Sequence, residues 1–342
     1  MAKPPTSPTT SLALRASSAV APKTTLAPVR TIEEVTLACD VEQPLQPEDP
    51  RWEDLTPARG DHAVKMLRRR LERNPRGECL SLVFVSHRGA GKTTELLRLQ
   101  HELAARYEAL YFQANVEMDP FKIEAEDLLL VLAREVETFM RERGTPLAAE
   151  LLARVHSWFD EWVRNTQWGK DYSAEVAGGV QAEGGIPYFA KLTSSLKAIL
   201  KVESKYRDEI KQVLKKYPGT LLDSVNQLLD GARAVLAKEG KELLVVIDNL
   251  DRYSPSEVDR LLIRGGDRIR SLRCNLLLTP PISLVYRPES EQLDTYFQCE
   301  MMNTVRLRRP SQPYDAFEGP GRERLLAALA RRMDIDALIP DE

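Results

Sequence analysis

The stretch SHRGAGKTTEL, residues 86–96, holds the residue types of an anion-binding loop. Gly89, Ala90 and Gly91 let the backbone curl so that successive N–H groups converge on a phosphate. Lys92 brings a point charge to β and γ phosphates, and the Thr93 hydroxyl is a hard oxygen ligand for magnesium. The pattern G-x-x-x-x-G-K-[ST] starts with glycine, and this chain has Ser86 in that place. A serine there costs some backbone freedom at the strand exit but removes no phosphate contact. The nucleotide-contacting set is therefore Ser86, His87, Arg88, Gly89, Ala90, Gly91, Lys92, Thr93 and Thr94.

Far downstream, LLVVID ends in Asp248 at the tip of an apolar run. In open α/β sheets ligands bind at the carboxyl ends of the strands. Asp248 is placed to hold magnesium opposite Thr93, directly or through water. Asp251 has two readings: a turn or helix-capping aspartate, or a carboxylate that polarises an attacking water. Thr279, just past the run in NLLLTPP, either contacts the γ-phosphate or the attacking water, or is an ordinary strand-end threonine. Arg287 reaches the nucleotide or a neighbouring subunit, or is simply solvated. The catalytic set is Lys92, Asp248, Asp251 and Thr279, and the metal set is Thr93 and Asp248.

These residues need a scaffold that places strand ends together. CLSLVFVS, before the loop, is a continuous apolar run bounded by polar residues, as in a strand buried on both faces of a parallel sheet. After the loop, Leu96, Leu99 and Leu103 recur at helical spacing. ALYFQANV is the second strand, KELLVVIDNLDRYS contains the next, RCNLLLTPP another, and NTVRLRR a fifth. Parallel neighbours require crossover helices. GDHAVKMLRRRLERNP places Ala63, Val64, Leu67 and Leu71 on one helical face and ends at Pro75. Helical spacing returns from Glu124 to Arg143 and from Leu147 to Val163, the latter with Trp158, Phe159 and Trp162 on its apolar side. The Gly-rich stretch 165–195 reads as a loop or a marginal hairpin. Helices over Leu196–Lys216 and Thr220–Lys238 follow, and GPGRERLLAALARRM is the last helix. The expected fold is α/β: a central, mainly parallel sheet flanked by helices, with a large helical insertion between the second strand and the second-motif strand.

The 342 residues suffice for one large domain or two smaller ones, and 43% apolar with 29% charged is ordinary for a globular chain. Lys plus Arg number 48 against 51 Asp plus Glu, which argues against a protein that coats nucleic acid. The tight basic clusters, KMLRRRLER and RLRRPS, read as a solvated helix face and a strand edge. Cys39, Cys79, Cys274 and Cys299 lack metal or disulfide spacing and are expected to be reduced thiols of a cytoplasmic protein. No apolar run reaches the length of a membrane span. Residues 1–30 are expected to be a disordered low-complexity tail rather than a transit peptide. Residues 31–58 read as an extended lead-in without periodicity.

SHRGAGKTTELLRL, VVIDNLDR and LLLTPP together resemble the P-loop ATPases of the AAA+/STAND group, the signal-transduction ATPases with numerous domains. Asp248, Asn249, Leu250 and Asp251 are similar to the D-x-L-D second motif of the NACHT and KAP subgroups. HRGAGKTTEL is similar to a set of bacterial ATP-binding proteins found near defence or conflict genes. The resemblance runs over about residues 45–335. It implies ATP and Mg2+ as cofactors, with Lys92 and Thr93 as phosphate and magnesium contacts. It further implies Asp248 as the metal aspartate, Asp251 as the further acid, Thr279 as the sensor, and PLQPEDPRWEDLTPARG as the adenine flank. The implied map is a P-loop ATPase domain over 31–335. Within it, 45–119 carries the phosphate loop, 120–240 the helical insertion, and 241–310 the second-motif and sensor strands. Residues 311–342 begin a C-terminal helical lid.

Two departures shape the functional expectation. Many relatives place an acid directly after the metal aspartate, where this chain has Asn249, so slow hydrolysis is expected. One helix fits before Glu342 where the family has a lid with a second sensor arginine; the lid either continues beyond or is minimal and completed by a partner. The expected function is an ATP-binding, slowly ATP-hydrolysing switch that controls assembly or a partner effector through the insertion, with bacterial defence as a setting the resemblance suggests. The alternatives are a nucleotide-stabilised scaffold with little turnover, and a DNA-associated AAA+ ATPase, which the charge balance disfavours. A small-molecule kinase leaves Asp251 and Thr279 unexplained.

Overall fold

The structure, a computed structural model, describes residues 28–40, 42–118, 123–152, 218–307 and 319–338. Five strands form one sheet: β1 (Ser81–Val85), β2 (Tyr107–Gln113), β3 (Glu242–Asp248), β4 (Asn275–Leu278) and β5 (Gln298–Met301). Their spatial order is β2-β3-β4-β1-β5, and every neighbouring pair is parallel. β4 therefore lies between the strand that feeds the phosphate loop and the strand that ends in Asp248. Because Ile247 is level with Leu278, the next residues, Asp248 and Thr279, leave the sheet side by side.

Alternate residues of the inner strands serve two cores, one per sheet face. Val83, Val85, Val245, Ile247, Leu276 and Leu278 pack beneath the helices Ala125–Glu142 and Pro218–Lys238. Leu82, Phe84, Leu244, Val246 and Leu277 face the opposite way, against Leu67 and Leu71 of the Ala63–Arg73 helix and Leu96, Leu99 and Leu103 of the Lys92–Leu103 helix. Double-sided burial explains why β1, β3 and β4 read as unbroken apolar runs.

Three expectations need correction. The second strand starts at Tyr107 and stops at Gln113, where its partner β3 ends; Ala114–Glu117 then closes a helical turn. The fifth strand is Gln298–Met301, and 303–307 of NTVRLRR have no regular structure. Past Met301 the neighbouring β1 is exhausted, and the chain bonds instead to the end of the lead-in and the residues just after it: Arg306 N–H to Ala58 O at 3.3 Å and Asn303 N–H to the Asp61 side chain at 2.7 Å. The lead-in itself contains a helix, Ile32–Ala38, capped by the Thr31 hydroxyl, and a helical turn, Thr56–Arg59, ended by left-handed Gly60.

The helices expected over Glu124–Arg143 and Thr220–Lys238, at the two ends of the insertion, are present as Ala125–Glu142 and Pro218–Lys238. The tail through residue 27, the Gly-rich stretch 165–195, Trp158, Phe159, Trp162 and the helix over Leu196–Lys216 lie outside the described residues. Among the described residues no helix is long and apolar enough to cross a membrane. In the basic cluster of the Ala63–Arg73 helix, Arg68 pairs with Glu72 and Glu102, and Arg70 with Glu300.

Buried Asn275 ties the base of the sheet: it accepts from Leu80 N–H and Asn74 Nδ2 and donates to Leu243 O. Asn275→Leu strands those groups and is expected to cost about 1–3 kcal/mol or more, read from the urea unfolding midpoint.

Candidate nucleotide site

β1 hands the chain to the loop at Ser86, whose side chain is 1% exposed. The loop bends through left-handed φ at Gly89 (79°) and Gly91 (89°), a conformation that glycine adopts freely. Gly91 caps the Lys92–Leu103 helix, so the loop N–H groups and the helix N-terminus share one anion-attracting concavity. Ser86 and His87 offer their carbonyls to Lys92 Nζ, each at 3.3 Å. The side chains of His87 and Arg88 are exposed. The Thr94 hydroxyl accepts from Leu45 N–H at 3.2 Å and so ties the loop helix to the lead-in.

Asp248, 1% exposed, gathers four donors. One oxygen accepts from Thr93 Oγ1 at 2.7 Å and Tyr111 OH at 3.0 Å; the other accepts from Thr279 Oγ1 at 2.7 Å and Asn249 N–H at 2.8 Å. Burial, reinforced by the neighbouring Asp248 charge, pushes the Tyr111 phenol far above its ordinary value, so it is a fixed donor.

Asn249 is the one non-glycine residue with positive φ among the described residues, at φ 63° and ψ 21°. This reversal sends the 3-10 turn Leu250–Arg252 back toward the loop. Asp251 thereby meets Lys92 with 2.6 Å between Oδ2 and Nζ, and all three donors of the ammonium are engaged. The next residue, Arg252, pairs with Glu42 of the lead-in at 2.7 Å. Arg287 does not join the group: it pairs with Asp259.

Beside these groups lies a cavity of about 660 Å³, within the usual range for small-molecule sites. Its lining joins Lys92, Thr93, Asn249 and Asp251 to Leu37, Leu45, Trp52, Leu325, Leu329 and Arg332. The Trp52 ring is held by the Arg98 guanidinium, 3.5 Å from its centroid. The C-terminal wall is the Pro320–Ala330 helix and the turn after it, fastened by Arg324 and Arg331 to Glu53 and by Arg332 to Arg51 O.

The donor set fits a magnesium nucleotide. Thr93 and Asp248 supply adjacent hard oxygens, and no cluster of three or more metal-ligating side chains exists among the described residues. Magnesium is ordinarily completed by phosphate oxygens and water at sites of this kind. The structure brings together Lys92, Thr93, Asp248, Asp251 and Thr279; Tyr111 and Arg332 carried no motif signal, and Trp52 and Arg59 lie in the stretch that the resemblance marks as the adenine flank without being singled out in it. Tyr111 was visible only as part of a strand; its approach to Asp248 follows from the pairing that sets Gln113 level with Asp248.

The sequence model of the KAP family P-loop domain matches residues 88–263, just over half of the chain. The match takes in Lys92, Thr93, Asp248 and Asp251; Thr279, the lead-in and the C-terminal helix fall outside it. No curated protein matches the chain.

At the left-handed position 249, alanine is expected to be less stable than glycine by roughly 1–2 kcal/mol. The difference in urea midpoint between Asn249→Ala and Asn249→Gly measures it, and equal midpoints would contradict the assigned backbone.

Proposed function

Because the chain belongs to the KAP family of P-loop NTPases, we propose that it binds ATP with magnesium, hydrolyses it slowly, and uses the bound nucleotide as a conformational switch. The observation that carries this reading is the ion pair between Lys92 and Asp251. A γ-phosphate drawn to Lys92 competes with the Asp251 carboxylate for the same cation. Two anions about 4 Å apart repel by about 4 kcal/mol in a partly desolvated setting, several times thermal energy, so both do not keep their places. Leu250 anchors the Leu250–Arg252 turn in the core, so the Asp251 side chain is the group that gives way, and the neighbouring Arg252 links the turn to Glu42 in the lead-in. Nucleotide state and lead-in position are thus coupled.

The same groups account for slow turnover. Magnesium, when bound, would neutralise charge on the β and γ oxygens. Thr93 and Asp248 are the residues that would hold it, and Thr279 and Tyr111 keep Asp248 oriented. Asp251, once off Lys92, is the carboxylate available to orient a water and take its proton as the water oxygen attacks the γ-phosphorus and the bond to ADP breaks. Asn249 stands where an acid would be more effective; its amide takes no proton. That asparagine also favours a second reading, a nucleotide-stabilised scaffold with little turnover.

The partner or assembly surface belongs on the insertion, residues 120–240, since one crossover helix would already satisfy the parallel pairing of β2 and β3. A protein partner is favoured over nucleic acid because acids neutralise Arg68 and Arg70 in the basic cluster of the Ala63–Arg73 helix.

Equilibrium binding of labelled ATP is expected to weaken at least tenfold in Lys92→Ala; parent-like affinity would overturn the loop's role. Asp251→Asn is expected to bind ATP more tightly than the parent, with ADP little changed, and to lose phosphate release. Weaker ATP binding in Asp251→Asn would contradict the competition, and a parent with no phosphate release would leave the scaffold reading.

A further inference from the structure

Arg59 occupies a place that stability alone does not explain. It ends the Thr56–Arg59 turn of the lead-in, is 3% exposed, and lies against the phosphate loop. Nη1 donates to Glu95 Oε1 at 3.0 Å, Nη2 donates to Ala90 O at 2.8 Å, and Nε is buried with no acceptor. Nη2 also lies 3.6 Å from where a β-carbon on Gly91 would sit. A buried ion pair with a stranded donor is seldom better for stability than apolar packing.

The Ala90 carbonyl suggests what the pair is for. An anion-binding loop works only if its N–H groups, and none of its carbonyls, face the phosphate. The peptide between Ala90 and Gly91 is planar and trans, so its C=O and N–H point in opposite directions. Glycine at 91 tolerates either orientation of that peptide, because its φ is unrestricted by a side chain. Something outside the loop must select one. Arg59 grips the Ala90 oxygen on the lead-in side and thereby aims the Gly91 N–H the other way. Glu95, in the first turn of the helix that the loop feeds, neutralises the guanidinium and fixes its distance from that helix.

We propose that Arg59 is a positioning residue that, braced by Glu95, holds the Ala90–Gly91 peptide in the orientation that accepts phosphate. The proposal rests on the nucleotide reading above. It predicts a defect specific to the phosphate-bearing part of the ligand, which a merely structural role would not produce.

The test compares Arg59→Met, Arg59→Lys and Glu95→Gln with the parent for affinity toward ATP, ADP and adenosine, with thermal unfolding measured alongside. Arg59→Met is expected to lose at least tenfold in ATP and ADP affinity, with adenosine within about twofold and no fall in unfolding temperature. Arg59→Lys is expected to recover part of the loss, since one ammonium can still reach the Ala90 oxygen. Glu95→Gln is expected to show the same phosphate-selective loss to a smaller extent, and it decides the matter if Arg59→Met fails to fold. Equal losses for adenosine and ATP, or unchanged ATP affinity in both Arg59→Met and Glu95→Gln, would overturn the proposal while leaving the site intact. A parent that binds neither ATP nor ADP would overturn the nucleotide reading and this proposal together.

Discussion

The Asp248 carboxylate is the point on which the site is built. A buried carboxylate without partners is penalised by several kcal/mol, and hydrogen bonds to a charged group return about 1.5–3 kcal/mol each. One or two donors would leave such a group marginal; the four it has come from the loop helix, β2, β4 and the exit of β3. Each donor arrives through the sheet. β4 must sit between β1 and β3 for Thr279 to reach, and β2 must pair with β3 to its end for Tyr111 to reach. The strand order and the chemistry at Asp248 are therefore one constraint seen from two sides.

A second regularity is that the two buried cations at the loop are paired with acids. Lys92 holds Asp251 and Arg59 holds Glu95. The pairs differ in what a triphosphate does to them. In the proposed function Asp251 competes with the γ-phosphate for Lys92 and gives way by moving its own side chain, since Leu250 anchors the turn in the core. Glu95 is anchored in the first turn of the loop helix, where Arg59 can grip a loop carbonyl without giving up its acid. One pair is suited to respond to the nucleotide, the other to shape the loop that receives it.

How much of this could be read from residues alone depends on how local each signal is. The phosphate loop is contiguous, so its chemistry shows in residue type and spacing, and Ser86 proves to be a buried strand-exit residue whose carbonyl serves Lys92. Asp248 is announced by the apolar run that carries it. Tyr111 depends on register, which composition does not reveal. Arg59 and Trp52 lie in a lead-in whose only helical pieces are too short for periodicity to show. The fifth strand escapes sequence reading because Gln298–Met301 alternates polar Gln298 and Glu300 with Cys299 and Met301 at the sheet edge, so no apolar run marks it.

In the proposed function, Thr93 and Asp248 bind magnesium together with the nucleotide phosphates. Calorimetric titration of the full chain with ATP, with and without magnesium, tests it most directly. Binding is expected to tighten at least tenfold with magnesium, and that gain is expected to vanish in Asp248→Asn. ATP affinity that is indifferent to magnesium, or a magnesium gain that survives in Asp248→Asn, would contradict the account.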